Sequence, residues 1–239
     1  MERSRIMKYF IPIILLLVGC TKPCVINDQD PINVACPCVV EHLDKVTDIK
    51  TLYVCFEYYQ HFNGIDTPPG SWNTPLKIGL RILEVDPKDE YMYGAVAGIY
   101  YTKWALYQRG EVIKMADGAD GLEKAYNLLL EGKNYNYDNT DYHEMAARTL
   151  FIISARHKPE YFPFVIESYN LVFLQSAYLK KKLDAAFQIA YIYHKFMGSP
   201  QEALMWYTKV LELASQHKGN PIADHYISAA TRGLQLLSQ

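Results

Sequence analysis

Leu183 to Gln216 reads LDAAFQIAYIYHKFMGSPQEALMWYTKVLELASQ. Its first half places Phe187, Ala190, Tyr191 and His194 at three- and four-residue steps, and its second half does the same with Ala203, Trp206, Tyr207, Val210 and Leu211. That spacing puts each set on one face of an α-helix. The turn between them is spelled residue by residue. Gly198 suits the left-handed cap that ends a helix, Ser199 the N-cap and Pro200 the first helical position, and Glu202 completes a capping box with Ser199.

The same grammar recurs along the chain. Ile49, Leu52, Tyr53, Phe56 and Tyr59 share one face of a helix expected from about Asp44 to His61. Pro68-Pro69-Gly70 marks Gly64 to Ser71 as a loop, and Thr74 and Pro75 restart a helix through Leu76, Gly79, Leu80 and Leu83 that stops at Asp86-Pro87. A helix from Glu90 past Tyr107 has one mostly small side, Gly94, Gly98, Tyr101 and Ala105, and one aromatic side, Tyr93, Ala97, Tyr100, Trp104 and Tyr107. Asp120 with Glu123 opens a helix carrying Leu122, Ala125, Tyr126 and Leu129, which Gly132 is expected to close. Asn134 to Asp141 is a polar surface loop without the ligand ladder of a calcium site. Asp141 with Glu144 is expected to cap a helix to about Arg156, followed by a break at Pro159 and a helix from Glu160 to Tyr178 that bends or begins at Pro163. Gly219, Asn220 and Pro221 introduce a last helix to about Leu237. The body at 44–239 is therefore expected to be all-α, about four helix pairs plus a C-terminal capping helix.

The residues Ala190, Tyr193, Glu202, Ala203, Tyr207 and Leu211 to Leu213 resemble the tetratricopeptide repeat, with a small residue and an aromatic in the first helix and Glu-Ala early in the second. Leu83-Glu84-Val85-Asp86-Pro87 is similar to that repeat's ending, and Gly98, Tyr101 and Ala125 fall on its small, aromatic and alanine positions. The resemblance implies a helical-hairpin solenoid that works by interaction rather than catalysis. Gly98 and Ala125 are farther apart than the repeat's pattern requires, and the extra residues could lengthen each helix of that hairpin by about two turns.

The N-terminus carries a separate signal. Arg3, Arg5 and Lys8 make a positive start, Tyr9 to Val18 is apolar but short for a membrane span, and Leu17-Val18-Gly19-Cys20 follows. This resembles a bacterial lipoprotein signal peptide, 1–19, with Cys20 as the lipidated residue. In that family the cysteine receives a diacylglycerol and the new amine is often acylated, so the resemblance implies attachment to a membrane of the cell envelope. Thr21 after the cysteine favours the outer membrane, periplasm-facing, in a Gram-negative envelope. Residues 20–43, with Pro23, Pro31 and Pro37, read as a tether holding the body off the membrane.

Besides Cys20 the chain holds Cys24, Cys36, Cys38 and Cys55. In an oxidising compartment four thiols allow three disulfide pairings, and a bond from the tether to Cys55 would staple it to the first helix. A metal set of Cys24, Cys36, Cys38 and His42 is the alternative, although it lacks the paired C-x2-C knuckles of structural zinc sites.

The composition, 50% hydrophobic and 21% charged with a formal net charge of -2, is that of a globular chain and shows no block of like charges suited to nucleic acid. Lys180 to Lys182 reads as a solvated turn between helices. No zinc-protease, nucleophile-elbow, phosphate-loop or dinucleotide motif is present, so neither an enzyme nor a cofactor is expected. The 20 tyrosines offer rings with polar ends, which serve cores and recognition surfaces alike. The candidate binding residues are Tyr93, Tyr100, Trp104, Tyr107, Tyr191 and His194. The function expected first is a lipid-anchored scaffold for a protein or peptide partner. The alternative is a small-molecule-binding accessory to a periplasmic solute-binding protein, which an enclosed apolar pocket near Tyr93, Tyr100 and Trp104 would favour.

Overall fold

Apolar stripes at helical spacing become helices wherever a neighbour can cover them. The computed structural model describes residues 36, 39–61, 72–108 and 118–238. Among these, a short helical stretch at 36 and 39–41, in a segment read from sequence as a tether, precedes nine α-helices of 13 to 19 residues: α1 Ile49–His61, α2 Asn73–Val85, α3 Glu90–Gln108, α4 Gly121–Tyr135, α5 Thr140–Arg156, α6 Phe162–Gln175, α7 Leu179–Lys195, α8 Pro200–Ser215 and α9 Pro221–Leu237. No strand occurs among the described residues. The expected signal segment 1–19, Cys20, Cys24, Cys38 and the expected loop Gly64 to Ser71 lie outside them.

Each helix packs on the next: α1 on α2, α3 on α4, α5 on α6, α7 on α8 and α8 on α9. Further contacts skip one helix, the broadest of them α3 with α5 and α7 with α9. One apolar core runs through all of them, from Leu52 and Phe56 on α1 to Ala223 and Ala230 on α9.

Several helix ends differ from expectation, each for a local reason. Gly198, at φ +60°, and Pro200 make the turn before α8 as expected, but the Ser199 hydroxyl donates to Met197 O at 3.5 Å and forms no cap bond. Asp120 likewise makes no cap bond and pairs with Lys124 at 3.0 Å. Asn139, not Asp141, caps α5, its side chain accepting from the amides of Asp141 and Tyr142. The first helix begins at Ile49 rather than Asp44, because Asp48 accepts from the Thr51 amide at 2.8 Å and a separate 3₁₀ turn takes Leu43–Lys45. Lys180 to Lys182 are not a turn. They lie in the first residues of α7, where Lys181 is drawn to carboxylates on α5. Within the described residues the helices of the α3–α4 hairpin hold 19 and 15 residues, against 17 and 14 in the α5–α6 pair; 109–117, on which the expected lengthening falls, lie outside them.

Gly132 does not end α4; the helix runs on to Tyr135. A Cβ there would lie 2.8 Å from both the Tyr142 hydroxyl and the Tyr93 ring. Gly98, in contrast, is mid-helix on α3 with nothing within 4 Å of where its Cβ would be. Gly98→Ala is therefore expected to stabilise the protein by about 0.5–1 kcal/mol through helix propensity. Gly132→Ala is expected to destabilise it by about 1–2 kcal/mol through overpacking. Urea titration of the two variants checks both signs.

His143 is fully buried on α5. Its Nε2 lies 2.8 Å from Tyr137 O and donates to it, which leaves Nδ1 as a buried lone pair without a partner. Burial holds its pKa below the ordinary value of 6.5. The unfolded chain therefore takes up a proton below about pH 6.5 that the folded chain refuses. This stability is complete above that pH and declines as the pH falls below it. In His143→Gln the slope of unfolding free energy between pH 6.5 and 5 should be smaller than in the wild type.

Candidate functional site

Side chains from α3, α5, α7 and α9 converge in two kinds of cluster, one charged and one aromatic. The charged one is a seam. On α5 the helical spacing of Asp141, Glu144 and Arg148 sets them in a row, and Glu144 and Arg148 pair at 2.6 Å. From α7, Lys181 bonds Glu144 at 2.9 Å and also Asp141, while Asp184 receives Arg148 at 3.2 Å. Tyr226 of α9 donates to the other Asp184 oxygen at 3.1 Å. Burial first, then the Asp184 charge, raises the pKa of both Tyr226 and the buried Tyr169. These groups satisfy one another, so the seam joins α5, α7 and α9 and offers no bare cation to an anionic ligand.

The six candidate residues do not form one groove. Tyr93 is a core residue, only 2% exposed, set edge-on to Tyr142 at 5.7 Å with its hydroxyl donating to Pro87 O at 3.3 Å. Burial pushes its phenol up to about 12. Tyr100 and Trp104 line the contact of α3 with α4, where Gly121 lies against the Tyr100 carbonyl and the Trp104 Cβ. Tyr107, 39% exposed, stands further along α3. Trp104 also joins a surface cluster: it stacks on Tyr101 at 6.1 Å and meets His157, just past α5, at 4.4 Å. Tyr191 belongs to a second cluster, 5.8 Å from Phe196 and 6.5 Å from Phe151. His194 leans away from it toward the Tyr207 hydroxyl, 3.4 Å from its Nδ1, and burial lowers its pKa.

Sequence reasoning missed His157, Phe151 and Phe196 as members of these clusters. Their positions gave no signal, because His157 and Phe151 meet their partners across helices and Phe196, at the end of α7, meets Phe151 and Phe162 there. Asp141 and Glu144 were visible only as a capping pair; Lys181, the residue that claims them, is 40 positions from Asp141.

A separate shallow depression of about 440 Å³ lies between α6 and α8, lined by Pro163, Ile166, Glu167, Asn170, Tyr193, Met197 and Trp206. Glu167 at its edge is paired with Lys133 at 2.5 Å. Among the described residues no group of His, Cys, Asp and Glu could hold a metal ion. The alternative zinc set fails at Cys36, whose sulfur is bonded to Cys55 and is no longer a thiolate. No described helix is long and apolar enough to cross a membrane.

No protein-family model matches this chain, and no curated protein matches it in sequence.

The seam is partly exposed, with Lys181 26% and Glu144 17% accessible. Lys181→Met should therefore cost only about 1 kcal/mol of stability, and the loss should shrink in 1 M salt. Thermal unfolding at low and high ionic strength measures both.

Proposed function

We propose that the chain is an envelope lipoprotein, anchored by lipid on Cys20, whose body is a tetratricopeptide-like solenoid acting as a docking scaffold for another protein. The observation that carries this reading is the packing order, in which the main contacts join helices next or next but one in the chain. Stacks of that kind present a continuous strip of helices to a partner. The aromatic clusters on that strip, Tyr101-Trp104-His157 and Phe151-Tyr191-Phe196, supply contact area, since Tyr and Trp anchors dominate protein interfaces. The charged seam between them is already paired and adds no pull on nucleic acid.

Export is supported by the buried Cys36–Cys55 bond, because disulfides persist in oxidising compartments. Two or three acyl chains on Cys20 would hold the body stably at a membrane, in a Gram-negative cell at the periplasmic side of the outer membrane. His143 is turned to a backbone carbonyl and His194 to the Tyr207 hydroxyl, so both are held by the fold itself.

Cys20→Ser should move the protein from the membrane to the soluble fraction while leaving its helical circular dichroism unchanged; continued membrane retention would sink the anchor. Capture of the native protein from gently solubilised membranes should yield a stoichiometric partner. Trp104→Ala should weaken its binding by roughly tenfold or more. A bound small molecule with no protein partner would replace the scaffold with the transport-accessory reading.

A further inference from the structure

The end of the stack at α1 and α2 is covered by a segment very different from α9, which covers the other end. Residues 36 and 39–48 hold only a short helical stretch, at 36 and 39–41, and a three-residue 3₁₀ turn, Leu43–Lys45. Val39 and Val46 are buried, and Val40 and Leu43 pack against the same core. On the α2 side, Arg81 Nε donates to the Val46 carbonyl at 3.0 Å. On the α1 side the attachment is covalent. Cys36 is bonded to Cys55, their Cα atoms are 5.2 Å apart, and both residues are 0% exposed. Cys55 shares the buried face of α1 with Leu52 and Phe56, so the bond lies over the apolar side that an end helix must hide.

Such a segment buries few side chains for the length of backbone it orders, so burial alone holds it weakly. A bond between residues 19 apart shortens the freedom of the open chain and shifts the balance toward the covered state. We propose that the Cys36–Cys55 disulfide is a lock on an N-terminal cap. With the bond made, residues 36 and 39–48 cover α1 and α2; with both sulfurs as thiols, the segment leaves and the apolar side of α1 is uncovered.

Closing the lock takes two protons and two electrons from the two thiols. A disulfide of the thiol-oxidant class accepts them and becomes a dithiol. Once closed, neither sulfur meets solvent, so a soluble thiol reaches the bond only when the segment opens. The lock is thus set during folding under oxidising conditions and stays set. This inference concerns one end of the molecule and does not depend on the scaffold reading or on lipid at Cys20.

Hydrogen exchange read by mass spectrometry on the full chain tests it, comparing the oxidised wild type with the double variant Cys36→Ser/Cys55→Ser, which also prevents mispairing with Cys24 or Cys38. The expected result is exchange faster by roughly tenfold or more across 39–61, with α5 to α9 unchanged. Unchanged protection over 39–61 would overturn the proposal, since burial alone would then hold the cap. Loss of protection throughout the chain would overturn it as well, making the bond a general stabiliser. In the wild type, dithiothreitol with an alkylating agent should label Cys36 and Cys55 only after denaturant is added; rapid labelling of the native protein would refute the buried lock.

Discussion

Two glycines on α4 let three helices meet at contact distance. At Gly121 the backbone of α4 lies against the Tyr100 carbonyl and the Trp104 Cβ of α3. At Gly132 the missing side chain leaves room for the rings of Tyr93 from α3 and Tyr142 from α5. The Tyr142 hydroxyl in turn donates to the Leu129 carbonyl on α4. A tyrosine can be buried only if its oxygen finds a partner, and this one finds it in the neighbouring helix. The small residues and the large aromatics are therefore one device, and the direct contact of α3 with α5 depends on it.

The nine longer helices were legible because amphipathic spacing, glycine and proline act locally, whereas the short helical stretch at 36 and 39–41 had no such spacing. Gly198 and Pro200 did in the fold what their chemistry allows. What the sequence concealed was choice between partners. Asp120, Asp141 and Ser199 all stand where a cap is possible, yet a lysine claims the first two, and the third turns to a carbonyl. A carboxylate near a cation gains more than it does from an exposed backbone amide, and which cation comes near is a tertiary fact. The same limit applies to the aromatic stripe of α3. Tyr93 and Trp104 lie on one side of the helix in sequence, but α4 and α5 bury the first and leave the second half-exposed.

The electrostatics and the aromatic clusters divide the α3–α5–α7 strip between them. Arg148 and Lys181 hold α5 to α7 through pairs that are complete within the chain. His157 and Phe196 leave ring surface uncovered nearby, with Phe196 38% exposed. A surface so arranged discriminates by shape and desolvation more than by charge. Its affinity for a partner would depend only weakly on ionic strength.

Because the main contacts among the described residues join helices close in sequence, each hairpin can form before the rest of the chain is present. Even the one covalent cross-link between described cysteines closes a short stretch, 19 residues. A chain emerging end-first could therefore build this body one hairpin at a time, each new pair finding its template already in place. Long-range searching, which exposes apolar surface to aggregation, is largely absent from such an assembly.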